Sequence, residues 1–163
     1  MNNATCAAAI AASLLLASAI LAQRGDDALD GGDPLYRAAR LGDTAEVAAL
    51  LSSGAKPDAP VVRWTGDAGW TPLMIAAAEG HTTVVKKLLE SGAPVDQRNE
   101  RGRTALLFAA WYNLFETAVV LVEAGADPEA ADVLGQTPLG LARLKTAFDM
   151  IYLLENNDFR SPP

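Results

Sequence analysis

The sequence repeats itself with a step of 33 residues, and this period constrains the fold more than any other feature. Self-similarity at a period of roughly 20 to 50 residues is typical of proteins whose small units stack in a row. The positions that keep the step are Gly69, Gly102 and Gly135; Leu73, Leu106 and Leu139; and Ala76, Ala109 and Ala142. An earlier unit shares the pattern, but Pro34 and Pro72 are 38 residues apart, so five extra residues separate the first two units. The chain therefore predicts four stacked units.

Each unit carries the signals of two short helices. A threonine precedes three of the first helices, at Thr71, Thr104 and Thr137, where its hydroxyl can accept a hydrogen bond from a free amide of the first turn. Paired alanines follow, and their small side chains allow neighbouring helices to approach closely. Helices of about ten residues are shorter than those that are stable alone in water. We therefore expect each unit to gain its stability by burying an apolar face against adjacent units.

The second unit shows the pattern most completely, with the sequence GWTPLMIAA at residues 69–77 followed by Gly80 and His81. This combination of many positions at a fixed period resembles the ankyrin repeat, and the resemblance covers residues 31–155. It implies an all-α fold, an ankyrin-repeat solenoid of about four helix–turn–helix repeats joined by hairpin-like loops. The expected domain spans residues 31–157, with repeats at residues 31–57, 66–97, 98–130 and 131–157, and residues 158–163 form a tail. By the same resemblance, the repeats bind another protein.

The outer units depart from the pattern, as expected for repeats with one face in water. Arg143 takes the second alanine position of the fourth unit, and we interpret the first and fourth units as caps. Lys145 and Thr146 replace the Gly-His step of the last unit. The turn between the last two helices is therefore expected to differ from the others.

Residues 4–22 form an uncharged run of 19 residues, nine of them alanine. The alanine content makes the run weaker than a typical membrane-spanning helix, and the small residues before Gln23 suit a signal peptidase. We predict a signal peptide at residues 1–22, cleaved after Ala22, and a polar linker at residues 23–30. Cleavage would remove Cys6 and release the chain into the periplasm or the cell exterior, without a further membrane contact. An uncleaved leader that anchors the chain in the inner membrane is the alternative.

Composition and charge exclude several classes of function. Thirteen Lys and Arg residues against 20 Asp and Glu residues give a net charge of -7, which disfavours nucleic acid as a partner. A single cysteine and a single histidine exclude an intramolecular disulfide and a Cys/His metal site within one chain. By the resemblance, His81 braces turns between repeats. Since no nucleophile, base and orienting group stand out together, the sequence predicts no catalytic residue, cofactor or metal and no enzymatic activity.

The partner-binding face follows from the resemblance, because ankyrin repeats use their loop tips and the exposed side of the first helix for recognition. The residues placed there are Trp70, Glu79, Arg98, Arg101, Arg103, Trp111 and Tyr112. Tryptophan, tyrosine and arginine are enriched in binding hot spots, and a basic, aromatic patch on an acidic protein favours a partner with local negative charge. Packing against a neighbouring loop is the alternative for Trp70 and for Trp111 with Tyr112. Arg63 and Trp64, in the insertion, join the set because a longer loop adds specificity.

These observations predict a monomeric, non-enzymatic protein-binding module that is periplasmic or secreted. The chain resembles the small exported ankyrin-repeat proteins of bacteria, and that resemblance implies support of a stress-defence enzyme such as catalase. It also leaves open an inhibitor or immunity protein that neutralises a secreted toxin enzyme. With an uncleaved leader, the chain would instead be a membrane-anchored scaffold.

Overall fold

A computed structural model of the protein describes residues 32–62 and 68–156. The helices of the described residues are α1 Pro34–Leu41, α2 Thr44–Ser52, α3 Pro72–Ala78, α4 Thr82–Glu90, α5 Ala105–Tyr112, α6 Phe115–Glu123, α7 Pro138–Leu144 and α8 Phe148–Asn156. The leader and linker, Arg63 and Trp64 of the insertion, and the tail lie outside the described residues. The expectations for these segments, and the exact domain bounds, stay predictions.

The first helix of each repeat begins at a side-chain cap. The hydroxyls of Thr71, Thr104 and Thr137 each accept a hydrogen bond from the backbone N–H three residues later. In the first repeat, Asp33 caps the helix, and its Oδ1 atom accepts a hydrogen bond from the N–H of Tyr36 at 2.7 Å. These bonds satisfy amides that have no partner within the helix. The threonine caps expected from the sequence are confirmed.

The eight described helices form two layers of antiparallel pairs. The first helices α1, α3, α5 and α7 pack side by side in one layer, and the second helices α2, α4, α6 and α8 do so in the other. Paired alanines of α3 and α5 lie where the first helices meet, and Ala76, Ala77, Ala109 and Ala110 are fully buried. The described residues therefore form an all-α solenoid of four helix–turn–helix repeats, which confirms the predicted fold class.

The second helices direct one stripe into the core. Val84, Val85 and Leu88 of α4 have no exposed surface, as the apolar spacing predicts. Leu89 is only half-buried and packs against the edge of this core. The main apolar anchor of α4 is therefore Leu88.

The turns between the two helices of a repeat share one backbone form. Residues 42, 80, 113 and 146 are equivalent, and all have a left-handed φ, including Asn113 at 56° and Thr146 at 54°. The prediction of a different last turn is wrong for this backbone angle, although Thr146 must adopt it without the freedom of glycine. His81 braces the first two repeats, because its Nε2 atom lies 3.0 Å from the carbonyl oxygen of Arg40. A carbon added at Gly42 would lie 2.7 Å from the same ring.

The outer surface of the fourth repeat is partly polar and partly apolar. Arg143 lies on the surface, where its Nη2 atom is 2.6 Å from Oε1 of Glu155. Leu144 and Phe148, however, are 77% and 75% exposed. The cap predicted from Arg143 therefore covers only part of this end.

Among the described residues, no helix combines the length and the apolar character that a bilayer span requires.

Candidate interaction surface

The loops between repeats stack through their backbones. The N–H of Glu100 donates to the carbonyl oxygen of Ala68 at 3.2 Å, and one period later the N–H of Val133 donates to that of Arg101 at 3.0 Å. Gly102 permits this approach, since a side-chain carbon there would lie 3.3 Å from the Cα atom of residue 132. The loop tips therefore form a regular row along one edge of the stack.

Each of two loops is organised by one buried polar side chain. The Oδ1 atom of Asn99 accepts hydrogen bonds from the N–H groups two and four residues later, both at 3.0 Å. The Oδ1 atom of Asp132 accepts the equivalent pair at 2.9 Å. Such bonds fix a turn without regular secondary structure. The positions of the loop side chains are thereby set by the backbone.

A small cleft lies beside the end of α5. Its volume is about 150 Å³, and its lining residues are Arg103, Leu107, Phe108, Trp111 and Tyr112. Trp111 is half-buried, whereas Tyr112 is 56% exposed. Both side chains thus reach the surface, and their contact with a partner stays a prediction.

Two cations lie close to the ring of Trp111. The Cζ atom of Arg103 is 5.6 Å from the ring centroid, and the Nζ atom of Lys145 is 5.4 Å from it. Both distances fall within the range of cation–π attraction. Lys145 also donates a hydrogen bond to the carbonyl oxygen of Trp111. The cleft therefore joins an aromatic wall from the third repeat to a cation from the fourth.

Arg103 is held in addition by Asp132. Its Nε atom lies 3.4 Å from Oδ2 of Asp132, and the two side chains are 20% and 0% exposed. Burial alone would raise the pKa of the Asp132 carboxyl, but the N–H groups of Gln136 and Leu134 and the Arg103 guanidinium lower that pKa below its ordinary value. The carboxylate is therefore the charged partner of Arg103 at neutral pH.

Trp70 does not belong to this surface. It is only 5% exposed, and its ring centroid lies 4.4 Å from that of Phe108 in the next repeat. Two backbone hydrogen bonds with Val61, at 2.7 and 3.2 Å, form the isolated bridge that holds this segment. The expected position of Trp70 on the binding face is therefore wrong, and the packing alternative describes this side chain, because the ring completes the core between two repeats.

The remaining predicted contact residues lie outside the lining of the cleft. Arg98 is exposed, and its Nη1 atom donates to the carbonyl oxygen of Ala131 at 2.7 Å, which ties the two loops together. Arg101 is exposed at a loop tip, and Glu79 is exposed at the end of α3. These three side chains can contact a bound partner only if that partner extends beyond the cleft.

The predicted contact set leaves out four residues of the cleft and its support. Leu107 and Phe108 line it, while from the next repeat Lys145 contacts Trp111 and Asp132 contacts Arg103. A helical step of four residues back from Trp111 points to Leu107, because such residues share one face of a helix. The contacts that Lys145 and Asp132 make from the fourth repeat cannot be read from this helical spacing, because they depend on how the repeats stack.

A larger cleft lies at the ends of α6 and α8 and has a volume of about 510 Å³. Its lining residues are Val122, Gly125, Ala126, Asp127, Pro128, Leu154, Glu155 and Asn156, without an aromatic or basic side chain. Aromatic and arginine side chains dominate the energetics of protein interfaces. We therefore take the smaller cleft as the candidate site despite its size.

The described residues also contain no cluster of three His, Cys, Asp or Glu side chains that could hold a metal.

Comparison with known proteins agrees with this architecture. Residues 58–132 match the family model of ankyrin repeats in three copies. Ankyrin repeat and KH domain-containing protein mask-1 of Caenorhabditis elegans is 34% identical over 113 residues, 69% of this chain and 4% of the relative. The probable E3 ubiquitin-protein ligase XBOS32 of Oryza sativa subsp. japonica is 38% identical over 115 residues, 69% of this chain and 22% of the relative. Ankyrin repeat domain-containing protein 63 of Homo sapiens is 38% identical over 86 residues, which are 50% of this chain and 23% of the relative.

The chain spans less than a quarter of the length of each of these relatives. The ligase activity named for the rice protein is therefore a property of that longer protein. These relatives match this chain over its repeat region. The matched residues together with the four helical hairpins show that this chain carries ankyrin repeats and folds as an ankyrin-repeat solenoid, an architecture that binds other proteins.

Proposed function

We propose that this chain is a monomeric, non-enzymatic module that is exported to the periplasm or the cell exterior and binds a partner protein at the cleft of Arg103, Trp111, Tyr112 and Lys145. The observation that carries the proposal is an aromatic ring held at the surface with two cations within 6 Å of its centroid. One cation, Arg103, belongs to the same repeat as Trp111, and the other, Lys145, belongs to the next repeat. Stacking of the repeats therefore assembles the site.

The chemistry of the cleft favours a partner that offers negative charge beside an apolar side chain. Tyr112 provides exposed apolar surface with a polar end, and the ring of Trp111 provides a flat wall. Lys145 supplies a positive charge near the ring, whereas that of Arg103 is already balanced by Asp132. An acidic residue next to an aromatic or branched residue would complement this arrangement.

Export is supported by the uncharged run at residues 4–22 and by the small residues that precede Gln23. N-terminal sequencing of the protein from its native compartment tests this part of the proposal. A chain that begins at Gln23 supports release into the periplasm or the medium. An intact Met1 contradicts release and favours the membrane-anchored scaffold.

Capture from a periplasmic extract tests the binding function. We expect the Trp111→Ala/Tyr112→Ala variant to bind the captured protein more weakly by about 2 kcal/mol or more, roughly a thirty-fold rise in Kd, because both rings of the cleft are removed. The variant should stay folded, with a melting temperature that is lower by only a few degrees. Phe148→Ala is the matched control, because Phe148 is an exposed aromatic residue outside the cleft.

Unchanged affinity in the Trp111→Ala/Tyr112→Ala variant, or an equal loss in the Phe148→Ala control, would contradict the proposed site. The identity of the captured protein also distinguishes between the two roles expected for small exported proteins of this kind. A catalase or another envelope enzyme supports a helper of stress defence. A hydrolytic toxin supports an inhibitor or immunity protein.

A further inference from the structure

Asp132 and Asn99 occupy equivalent positions in successive loops. Each side-chain oxygen accepts hydrogen bonds from the backbone N–H groups two and four residues later, at 2.9 Å for Asp132 and 3.0 Å for Asn99. An uncharged amide therefore suffices to form this loop. The charge of Asp132 must be explained by something other than the turn.

The second oxygen of Asp132 provides the explanation. Oδ2 lies 3.4 Å from Nε of Arg103, and the Asp132 side chain has no exposed surface. A buried carboxylate is costly unless it is paired and hydrogen-bonded. The guanidinium that pairs with it is the same group whose Cζ atom lies 5.6 Å from the centroid of the Trp111 ring.

The backbone and the side chain of Arg103 are thus fixed by different repeats. Its N–H donates to Oδ1 of Asn99 in its own loop, whereas its guanidinium contacts Asp132 in the next loop. An arginine side chain has many rotamers in water, and holding one of them costs conformational entropy. A group that is already held when the partner arrives reduces the entropy lost on binding.

We infer that Asp132 is a positioning residue of the cleft, whose negative charge holds the guanidinium of Arg103 over Trp111 before any partner binds. The inference rests on the proposed function, since it assigns Asp132 a role in the proposed binding site. Asp132 lines no part of the cleft itself and acts only through Arg103. Its effect should therefore be visible at Trp111 without a partner.

The test compares the exposure of the Trp111 indole in variants of the full chain. Protein with 15N-labelled tryptophan is titrated with a neutral soluble nitroxide, which broadens the signals of exposed N–H groups. The Trp111 signal is identified by its absence from the Trp111→Phe variant. In Asp132→Asn, the amide can keep both loop hydrogen bonds, as Asn99 does, but the charge is lost. We expect the Trp111 signal to shift and to broaden at a lower nitroxide concentration than in the wild-type protein.

A second variant keeps the test informative if Asp132→Asn does not fold. Arg103→Gln leaves the loop hydrogen bonds of Asp132 in place and should cause the same shift and broadening. The double variant should add nothing, because both changes remove one contact. Glu155→Gln is the matched control, since it breaks the exposed Arg143–Glu155 ion pair and should leave the Trp111 signal unchanged.

An unchanged Trp111 signal in Asp132→Asn, with or without a lower melting temperature, would overturn the inference and leave Asp132 a loop residue only. Additive effects of the two substitutions would overturn it as well. Because no partner is present, these outcomes are independent of the capture experiment. A failed capture with a shifted Trp111 signal would contradict the proposed function and not the positioning role.

Discussion

The second and third repeats each contribute a tryptophan, and the two side chains have opposite surroundings. Trp70 lies in a loop, yet its ring packs against Phe108 of the following repeat and is buried. Trp111 lies in a helix, yet its ring borders a surface cleft between two cations. A tryptophan in a repeat protein therefore serves the core or the surface according to what the next repeat places beside it.

This contrast separates stability from recognition within one stack. The ring of Trp70 is buried against Phe108, and its backbone is held by the bridge to Val61. The environment of Trp111 is charged and open, with Tyr112 exposed at its side. Substitution of the first ring should affect folding, and substitution of the second should affect binding.

The largest expected effect comes from Trp70→Ala. Loss of a buried aromatic side chain should lower the free energy of unfolding by about 3 to 5 kcal/mol, because the cavity forms between two repeats. Urea unfolding of the full chain measures this change. A loss below about 1 kcal/mol would show that the ring does not support the stack, and it would return Trp70 to the candidate contact surface.

The second helices offer the same contrast at neighbouring positions. Leu88→Ala should cost about 2 to 5 kcal/mol, since Leu88 has no exposed surface. Leu89→Ala should cost roughly 1 to 2 kcal/mol, because that side chain is only half-buried. Thermal and urea unfolding of the two variants measure the difference. Equal losses would mean that both leucines support the core to the same extent.

A smaller effect on stability is expected for Trp111→Ala. The cation–π contacts of this half-buried ring contribute on the order of 1 kcal/mol, so the free energy of unfolding should fall by about that amount. The measurement is the same urea titration as for Trp70→Ala. A loss as large as that of Trp70→Ala would remove the contrast between the two rings.

The smallest expected effect is the contribution of Asp132 in acid. Its pKa is lowered in the folded protein from the ordinary value of 3.8, so the carboxylate stabilises the fold above that value. This contribution is lost as the pH falls through the lowered pKa. Unfolding measured from neutral pH down to about pH 3 should therefore show a steeper loss for the wild-type protein than for Asp132→Asn. Parallel curves would contradict the lowered pKa of Asp132.

The period of the sequence predicts most of the fold because every repeat encodes its own helices and caps. Thr71, Thr104 and Thr137 identify three helix starts from the sequence alone, because each cap is a hydrogen bond to an amide only three residues away. The periodic alanines likewise identify the layer in which the first helices touch. Local signals of this kind need no knowledge of distant contacts.

The candidate site is less accessible to such reasoning because its contacts link different repeats. Lys145 reaches Trp111 across 34 residues, and Arg103 reaches Asp132 across 29. The resemblance to ankyrin repeats places Trp70 on the binding face, but the position of Phe108 one repeat later determines its burial. The direction of a side chain in a loop depends on the neighbour that covers it, and the pattern does not specify that neighbour.

The division of the cleft between the third and fourth repeats has a consequence for its dynamics. Within the described residues, α7 and α8 pack against a preceding repeat only, and an end unit of a linear stack opens before the interior units do. Transient fraying of that end would carry Asp132 and Lys145 away from Trp111 while the other three repeats stay folded. The lifetime of the terminal repeat, more than the global stability of the chain, would then set how often the cleft is competent to bind.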